Sequence, residues 1–230
     1  MKPVLEVENL RFAYNSARPV LDEITFSVID DECVGIVGAN GAGKSTLLWC
    51  LLGLLRADGA VRFFGERLNR RNLARVGVVF QNPEDQLFMP RLIDDITLPL
   101  VNRGMPAPRA TESALAALES AGLRDVLDRP ASQLSLGERK RAAIAAALAG
   151  SPDLLLLDEP TAELDGRAVR QLTAVLRNLP MARVLASHDL GFLQGLAQRI
   201  FVLASGRIIA EGSADHILSD RALLERAGLV

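Results

Sequence analysis

A glycine-rich segment close to residue 40 has the residue types of a loop that binds phosphate. Gly38 and Gly43 allow a tight turn in which consecutive backbone N–H groups point into one concavity, where they can hold the α- and β-phosphates of a nucleotide. Lys44 can then reach the β- and γ-phosphate oxygens, and Ser45 can offer its hydroxyl to Mg²⁺. The predicted nucleotide contacts in this loop are Gly38, Ala39, Asn40, Gly41, Ala42, Gly43, Lys44, Ser45 and Thr46.

The segments on both sides of this loop support the same interpretation. Residues 33–37 are an apolar run typical of a buried strand, and residues 45–52 have the composition of a helix. The N-terminus of such a helix adds the positive end of a dipole beside the bound phosphates. The sequence therefore predicts a strand, a phosphate loop and a helix in this order.

A second motif combines a buried strand with two acidic residues at its end. Residues 154–157 are all leucine, as expected for a central parallel strand that is buried on both faces. Asp158 and Glu159 follow at the carboxyl end of the strand, where ligands collect in such sheets. We predict that Asp158 orients Mg²⁺ and that Glu159 takes a proton from the water that attacks the γ-phosphate. Taken alone, the pattern would indicate only a strand and a solvated acidic turn, but beside a phosphate loop it indicates nucleotide hydrolysis.

A third motif lies directly before an Ala/Leu-rich helical stretch, where residues 134–141 read LSLGERKR. It resembles the LSGGQ signature motif of the ATP-binding cassette (ABC) ATPases, and the resemblance covers essentially the whole chain. It implies that Ser135 and the backbone N–H groups of Leu136 and Gly137, at a helix N-terminus, bind the γ-phosphate held by a second cassette. Leu136 replaces the first glycine of the motif and Glu138 replaces its glutamine, but the backbone N–H of Leu136 is kept.

Smaller matches to the same family occur in the expected order along the chain. Gln81 follows the strand-like residues 76–80 and resembles the glutamine that contacts Mg²⁺ and the attacking water. His188 follows the strand-like residues 183–187 and resembles the histidine that contacts the γ-phosphate. Tyr14 lies where the family places an aromatic side chain that stacks on adenine. Each residue alone is more often structural, and their order and spacing favour the functional interpretation.

Composition and charge exclude several classes of protein. The chain has 230 residues, of which 49% are hydrophobic, and no apolar run reaches the length of a membrane-spanning helix. The first ten residues carry charges where a signal peptide would be apolar, so we expect neither a membrane span nor secretion. The net charge of −2 offers no basic surface for nucleic acid. The two cysteines, Cys33 and Cys50, are predicted to be buried thiols.

Strand and helix signals alternate along much of the chain, which predicts an α/β fold with a mostly parallel sheet. The first strands alternate with period two, as in an antiparallel sheet. We predict a single ABC ATPase domain over residues 1–230 with a P-loop NTPase fold. Residues 1–93 and 151–230 would form its catalytic core, and residues from about 94 to 150 an inserted all-helical subdomain.

The resemblance implies a role in membrane transport, because a cassette without a membrane segment must transfer its energy to other subunits. Residues 81–88 read QNPEDQLF, which resembles the ATPases of energy-coupling-factor importers, particularly the cobalt and nickel branch. We expect an ATPase that uses ATP and Mg²⁺, peripheral to the cytoplasmic face of the cell membrane. Its expected partners are transmembrane subunits and a second cassette, identical or different. A vitamin importer of the same architecture and a soluble ABC ATPase are the alternatives.

An apolar run after Gln81 is the predicted docking surface for these partners. It consists of Leu87, Phe88 and Met89, at the family's boundary with the helical subdomain. Exposed Met and aromatic side chains make an adaptable surface, onto which a coupling helix of a transporter subunit could dock. The alternative is that the three residues pack beneath the helical subdomain.

Overall fold

The computed structural model describes residues 2–15 and 18–229, which form two β-sheets and the helices around them. The strands are β1 (Pro3–Phe12), β2 (Leu21–Ile29), β3 (Cys33–Val37), β4 (Asp58–Phe63), β5 (Glu66–Arg67), β6 (Val76–Val79), β7 (Leu154–Asp158), β8 (Ala182–Ser187), β9 (Arg199–Ala204) and β10 (Arg207–Ser213). The helices are α1 (Lys44–Leu51), α2 (Arg70–Leu73), α3 (Leu92–Asn102), α4 (Ala107–Ser120), α5 (Leu136–Leu148), α6 (Gly166–Arg177), α7 (Leu190–Gln194), α8 (Ala214–Ser219) and α9 (Arg221–Arg226).

The larger sheet has the strand order β10-β9-β3-β8-β7-β6. Strands β9, β3, β8, β7 and β6 are parallel, and β10 is antiparallel to β9. Successive side chains of a strand point to opposite faces, so Leu154 and Leu156 of β7 pack in one core while Leu155 and Leu157 pack in another. This sheet confirms the predicted mostly parallel α/β fold.

The smaller sheet is antiparallel, with the order β2-β1-β4-β5. Strand β1 pairs with both β2 and β4, which confirms the predicted antiparallel N-terminal part. Apolar side chains of this sheet, such as Leu5 and Ile24, share a core with Leu47 of α1 and Leu154 of β7. Helix α1 is therefore packed into the core that the two sheets have in common.

Helices α3, α4 and α5 lie between β6 and β7 in the chain. The segment between these two strands is fully described, its regular secondary structure consists of helices and short 3₁₀ turns, and α3 begins at Leu92. Buried residues such as Ile96, Ala114 and Ile144 pack these helices into the second core, together with Leu155 and Leu157 of β7. Across residues 2–15 and 18–229, no helix combines the length and apolar character that crossing a membrane requires.

The carboxyl ends of three adjacent strands meet at one edge of the larger sheet. Strand β3 ends at Val37, β7 at Asp158 and β8 at Ser187, and β8 pairs with both of the others. The phosphate loop, Glu159 and His188 directly follow these strand ends. Parallel pairing thus gathers side chains from three distant segments of the chain at the edge where such sheets bind ligands.

Candidate active site

The phosphate loop connects β3 to α1 and needs glycine at two of its positions. A Cβ atom on Gly38 would lie 2.5 Å from the carbonyl oxygen of Leu203, so no larger residue fits there. Gly43 has a φ of 107° and forms the N-cap of α1. Its carbonyl accepts the N–H of Leu47 at 2.8 Å, which starts the helix. The loop therefore presents its backbone and the α1 N-terminus to the site, a geometry that suits an anion.

Lys44 brings a positive charge into this loop. Its Nζ donates to the carbonyl of Gly38 at 2.7 Å and lies 3.0 Å from Oε1 of Glu159. Both side chains are buried, so this ion pair is poorly screened by water. The pair joins the phosphate loop directly to the acidic end of β7.

Glu159 has a constrained backbone and a fixed carboxylate. Its φ of 42° is in the left-handed region, which is unfavourable for a residue with a side chain, and its N–H donates to the carbonyl of Ala186 at 2.8 Å. Oε2 lies 2.8 Å from Nδ1 of His188 and 3.3 Å from Oγ of Ser187. The carboxylate is thus oriented by β8 on one side and by Lys44 on the other.

Asp158 and Ser45 provide the oxygen atoms that a magnesium ion would need. Asp158 is buried, and burial raises the pKa of its carboxyl although the side chain of Ser45 forms a hydrogen bond with it. Within the described part of the chain, Oδ1 of Asp158 has no hydrogen-bond partner. Mg²⁺ prefers hard oxygen ligands and is often bound by one carboxylate, waters and substrate phosphates. The pair therefore fits Mg²⁺.

A cleft of about 920 Å³ brings most of the predicted site residues together. Tyr14 forms its rim, with 60% of the residue exposed, and its hydroxyl lies 3.3 Å from Oγ1 of Thr46. The ring of Tyr14 packs edge-on against Phe12, with 4.9 Å between the ring centroids. The predicted site residues that line the cleft are Tyr14, Asn40, Gly41, Gly43, Lys44, Ser45, Thr46, Gln81, Glu159 and His188.

The LSLGERKR motif does not line this cleft with the phosphate loop. Ser135 is the N-cap of α5, and its Oγ accepts the N–H of Glu138 while the Glu138 carboxylate accepts the N–H and hydroxyl of Ser135. These hydrogen bonds from Ser135 lower the pKa of Glu138. Leu136 and Gly137 form the first turn of α5, partly exposed to solvent. The three predicted phosphate ligands of this motif thus lie at a helix N-terminus outside the cleft.

Lys140 also contacts the site, although no sequence motif predicts a role for it. It is only 2% exposed, and its Nζ donates to the carbonyl oxygens of Gln81 at 2.7 Å and of Glu159 at 3.3 Å. Burial lowers the pKa of its ammonium, although the carboxylates of Glu163, Glu159 and Asp158 oppose the shift. A lysine within an Ala-rich helical segment was the only signal for it in the sequence.

The apolar run after Gln81 is divided between core and surface. Leu87 is 4% exposed and packs in the core with the helices, so the prediction that it lines a docking surface is wrong. Its N–H donates to the carbonyl of Pro83 at 3.0 Å, and this turn directs the side chain inward. Phe88 is 73% exposed, and Met89 is half-buried. Oδ1 of Asp95 accepts the N–H groups of Phe88 and Met89, which fixes the backbone below the exposed ring.

The fold and the cleft define a P-loop nucleoside triphosphatase. The family model described as ABC transporter matches residues 21–162, which is more than half of the chain. The chain therefore belongs to the ABC transporter family, and it is an ATP-binding ATPase of that family.

Three similar proteins indicate the subfamily to which the chain is related. The energy-coupling factor transporter ATP-binding protein EcfA of Carboxydothermus hydrogenoformans is 40% identical, over 100% of this chain and 87% of EcfA. The cobalt import ATP-binding protein CbiO of Rhodobacter capsulatus is 39% identical, over 100% of this chain and 85% of CbiO. The structure of cbiO1 from Clostridium perfringens, part of the ABC transporter complex cbiONQ, is 30% identical with a TM-score of 0.84, covering 100% of this chain and 96% of cbiO1. The predicted resemblance to energy-coupling-factor ATPases is confirmed.

Proposed function

We propose that this protein is the ATP-hydrolysing subunit of a multisubunit membrane importer for cobalt or nickel ions. The similarity to proteins named for energy coupling and for cobalt import supports this proposal. The exposed ring of Phe88 supports a partner surface beside the site. The single observation that carries the enzymatic part is the cleft that joins the phosphate loop to Glu159 and His188.

In this proposal, the cleft holds ATP together with Mg²⁺. Tyr14 stacks on the adenine, the phosphate loop holds the α- and β-phosphates, and Lys44 contacts the γ-phosphate. Ser45, Asp158 and Gln81 are positioned to hold Mg²⁺, which neutralises phosphate charge when it is bound.

Hydrolysis needs a base for the attacking water, and Glu159 is the group we assign to this step. The water oxygen forms a bond to the γ-phosphorus, its proton goes to Glu159, and the bond from the γ-phosphorus to the bridging oxygen breaks. The 2.8 Å contact with His188 orients the carboxylate for this proton transfer. Lys44 contacts Glu159 at 3.0 Å and must transfer part of this interaction to the γ-phosphate when ATP binds.

The active unit in this proposal contains two cassettes. Ser135 and the N–H groups of Leu136 and Gly137 bind the γ-phosphate held by the phosphate loop of the opposite cassette, since they lie outside their own cleft. Residues 1–93 and 151–230 act as the catalytic core, and residues from about 94 to 150 as the helical subdomain. The pair of cassettes is bound to transmembrane subunits at the cytoplasmic face of the cell membrane.

The experiment is co-expression with candidate membrane subunits encoded beside the gene, followed by ATPase and uptake assays. We expect ATP-dependent uptake of labelled Co²⁺ or Ni²⁺ by the wild-type complex. A Lys44→Ala complex should assemble but lack both activities, since the γ-phosphate loses its fixed countercharge. Uptake of a vitamin in place of metal would favour the other importer class, and an active ATPase that assembles with none of the membrane subunits would favour a soluble ABC ATPase.

A further inference from the structure

Lys140 places a charged group where charges are rarely found. Burying a lysine costs free energy, because the ammonium loses its hydration, and fully buried lysines are therefore rare. The chain contains 26 basic residues, of which three are lysines, and Lys44 and Lys140 are both buried at the active site. Lys44 has a role in the proposed mechanism, whereas Lys140 has none.

The ammonium of Lys140 joins two segments that carry active-site side chains. One hydrogen bond, of 2.7 Å, goes to the carbonyl of Gln81, which lies two residues after the end of β6. A second contact, of 3.3 Å, goes to the carbonyl of Glu159, the residue assigned as the base. Both acceptors are backbone atoms, so Lys140 constrains where the chain runs and leaves the two side chains free to act.

The segment that Lys140 contacts after β6 is itself held in place. We call residues 81–86 the Gln81 turn. The Gln86 side chain accepts the N–H of Phe80 and donates to the carbonyl of Val78, each at 2.8 Å, which fixes the turn to β6. If α5 moves relative to β6, the hydrogen bond between Lys140 and the carbonyl of Gln81 must therefore lengthen or break, because the Gln81 turn is bonded to β6.

Helix α5 links Lys140 to the signature motif. Ser135 caps α5, and Lys140 lies in the second turn of the same helix. The neighbouring Arg139 lies 3.3 Å from Glu84 of the Gln81 turn, so two consecutive side chains hold the helix against it. Because a helix moves as a rigid element, a displacement of Ser135 carries Lys140 with it.

We propose that Lys140 is a positioning residue that sets the backbone of Glu159 according to the position of α5, and thereby makes hydrolysis in one cleft depend on the signature motif of the same chain. This proposal rests on the two-cassette function proposed above. When the N-terminus of α5 binds the γ-phosphate of the opposite site, Lys140 holds the backbones of Glu159 and Gln81 at a fixed distance from each other. The two sites therefore hydrolyse ATP together.

The test compares three variants of the assembled complex. Lys140→Met keeps the apolar stem and removes all donors, and Lys140→Gln keeps an N–H donor at a slightly shorter reach. Arg141→Met is the matched control, because Arg141 is the next residue of α5 and also bonds to a carbonyl, that of Ala121, away from the cleft. Thermal unfolding, nucleotide affinity, kcat, KM and the Hill coefficient for ATP are measured for each.

We expect Lys140→Met to bind ATP like the wild type and to lose kcat by roughly 10- to 100-fold, since misplacing a catalytic group by about 1 Å costs on the order of 100-fold. Its Hill coefficient should fall toward one. Lys140→Gln should recover part of both properties, and Arg141→Met should keep both.

A folded Lys140→Met complex with wild-type kcat and Hill coefficient would overturn the proposal, as would an equal loss in Arg141→Met. If the Met variant does not fold, a folded Gln variant with the same kcat and the same Hill coefficient as Arg141→Met decides against the proposal in the same way.

Failure of the two-cassette function is detected separately. A Glu159→Gln protein that retains Lys140 should form a dimer on adding ATP, because hydrolysis no longer separates the cassettes. Without such a dimer, and with a Hill coefficient of one in the wild type, the proposed function fails before Lys140 is tested. With the dimer present, the Lys140 variants test the positioning role alone.

Discussion

Glu159 contacts two cationic or titratable side chains from different segments, Lys44 at 3.0 Å and His188 at 2.8 Å. Its left-handed backbone conformation costs free energy that the surrounding structure must offset. Such strain is common where a side chain has to be presented in one orientation. At the scale of single residues, the site is therefore built around the position of this one carboxylate.

Replacing Glu159 by Gln tests that view. We expect hydrolysis to slow by roughly 10²- to 10⁴-fold, the usual contribution of a general base. ATP should bind more tightly than to the wild type, because Lys44 no longer has a carboxylate that competes with the γ-phosphate. ATPase rates and nucleotide titrations measure the two effects. Normal hydrolysis by the Gln variant would mean that another group activates the water.

At the scale of elements, α5 depends on a charged capping box whose strength follows pH. The folded-state pKa of Glu138 is below its ordinary value of 4.5, owing to the hydrogen bonds from Ser135. The stabilisation is therefore fully present above pH 4.5 and is lost as the pH falls through the folded-state pKa. Glu138→Gln, which resembles the protonated acid, should lower the free energy of unfolding at neutral pH by a fraction of the about 1 kcal/mol that an N-cap contributes. The melting temperature should fall accordingly. The difference from the wild type should vanish at strongly acidic pH, and a constant difference across the range would contradict the assignment.

The first turn of α5 offers a second test, of the composite site. A Cβ atom on Gly137 would meet only Nη1 of Arg141, at 3.9 Å, so both Ala and Asp fit there. Gly137→Ala should hydrolyse ATP much like the wild type. Gly137→Asp should fold but lose ATP-dependent dimerisation and hydrolysis, because its carboxylate would face the opposite γ-phosphate. Sizing with ATP, in a Glu159→Gln background, measures the dimer, and a fully active Asp variant would exclude the head-to-tail arrangement.

The elements that could be predicted from the sequence are those whose patterns are local. The apolar runs of β3 and β7 predicted two buried strands whose carboxyl ends carry site residues, because buried parallel strands leave continuous apolar segments. Lys140 and Leu87 were missed or misplaced for a different reason. The partners of Lys140 are Gln81 and Glu159, distant in the chain, and the inward direction of Leu87 follows from its packing under α3 to α5. Contacts of this kind do not leave a local pattern.

At the scale of the whole molecule, the chain presents a cleft and an apolar protrusion on neighbouring segments. Gln81 lines the cleft, and Phe88 projects from the chain seven positions later, above a backbone that Asp95 fixes through two N–H groups. The buried Leu87 anchors the same stretch in the core. A helix that docks on Phe88 would therefore act on the segment that leads directly to Gln81, which is how assembly with a membrane partner could affect hydrolysis.

Replacing Phe88 by Asp tests this link between the cleft and transport. The side chain is 73% exposed, so the isolated variant should fold and bind ATP like the wild type. If Phe88 is the docking residue of the proposed importer, the charge would be placed in an apolar contact at a cost of several kcal/mol, and assembly and metal uptake should fail together. Ile209→Asp on the edge strand β10 is the matched control, an exposed apolar residue whose replacement should leave assembly intact. Leu87→Asp should instead lower the melting temperature of the isolated subunit, since Leu87 is core. Normal assembly and uptake by a folded Phe88→Asp protein would place the docking surface on another part of the molecule.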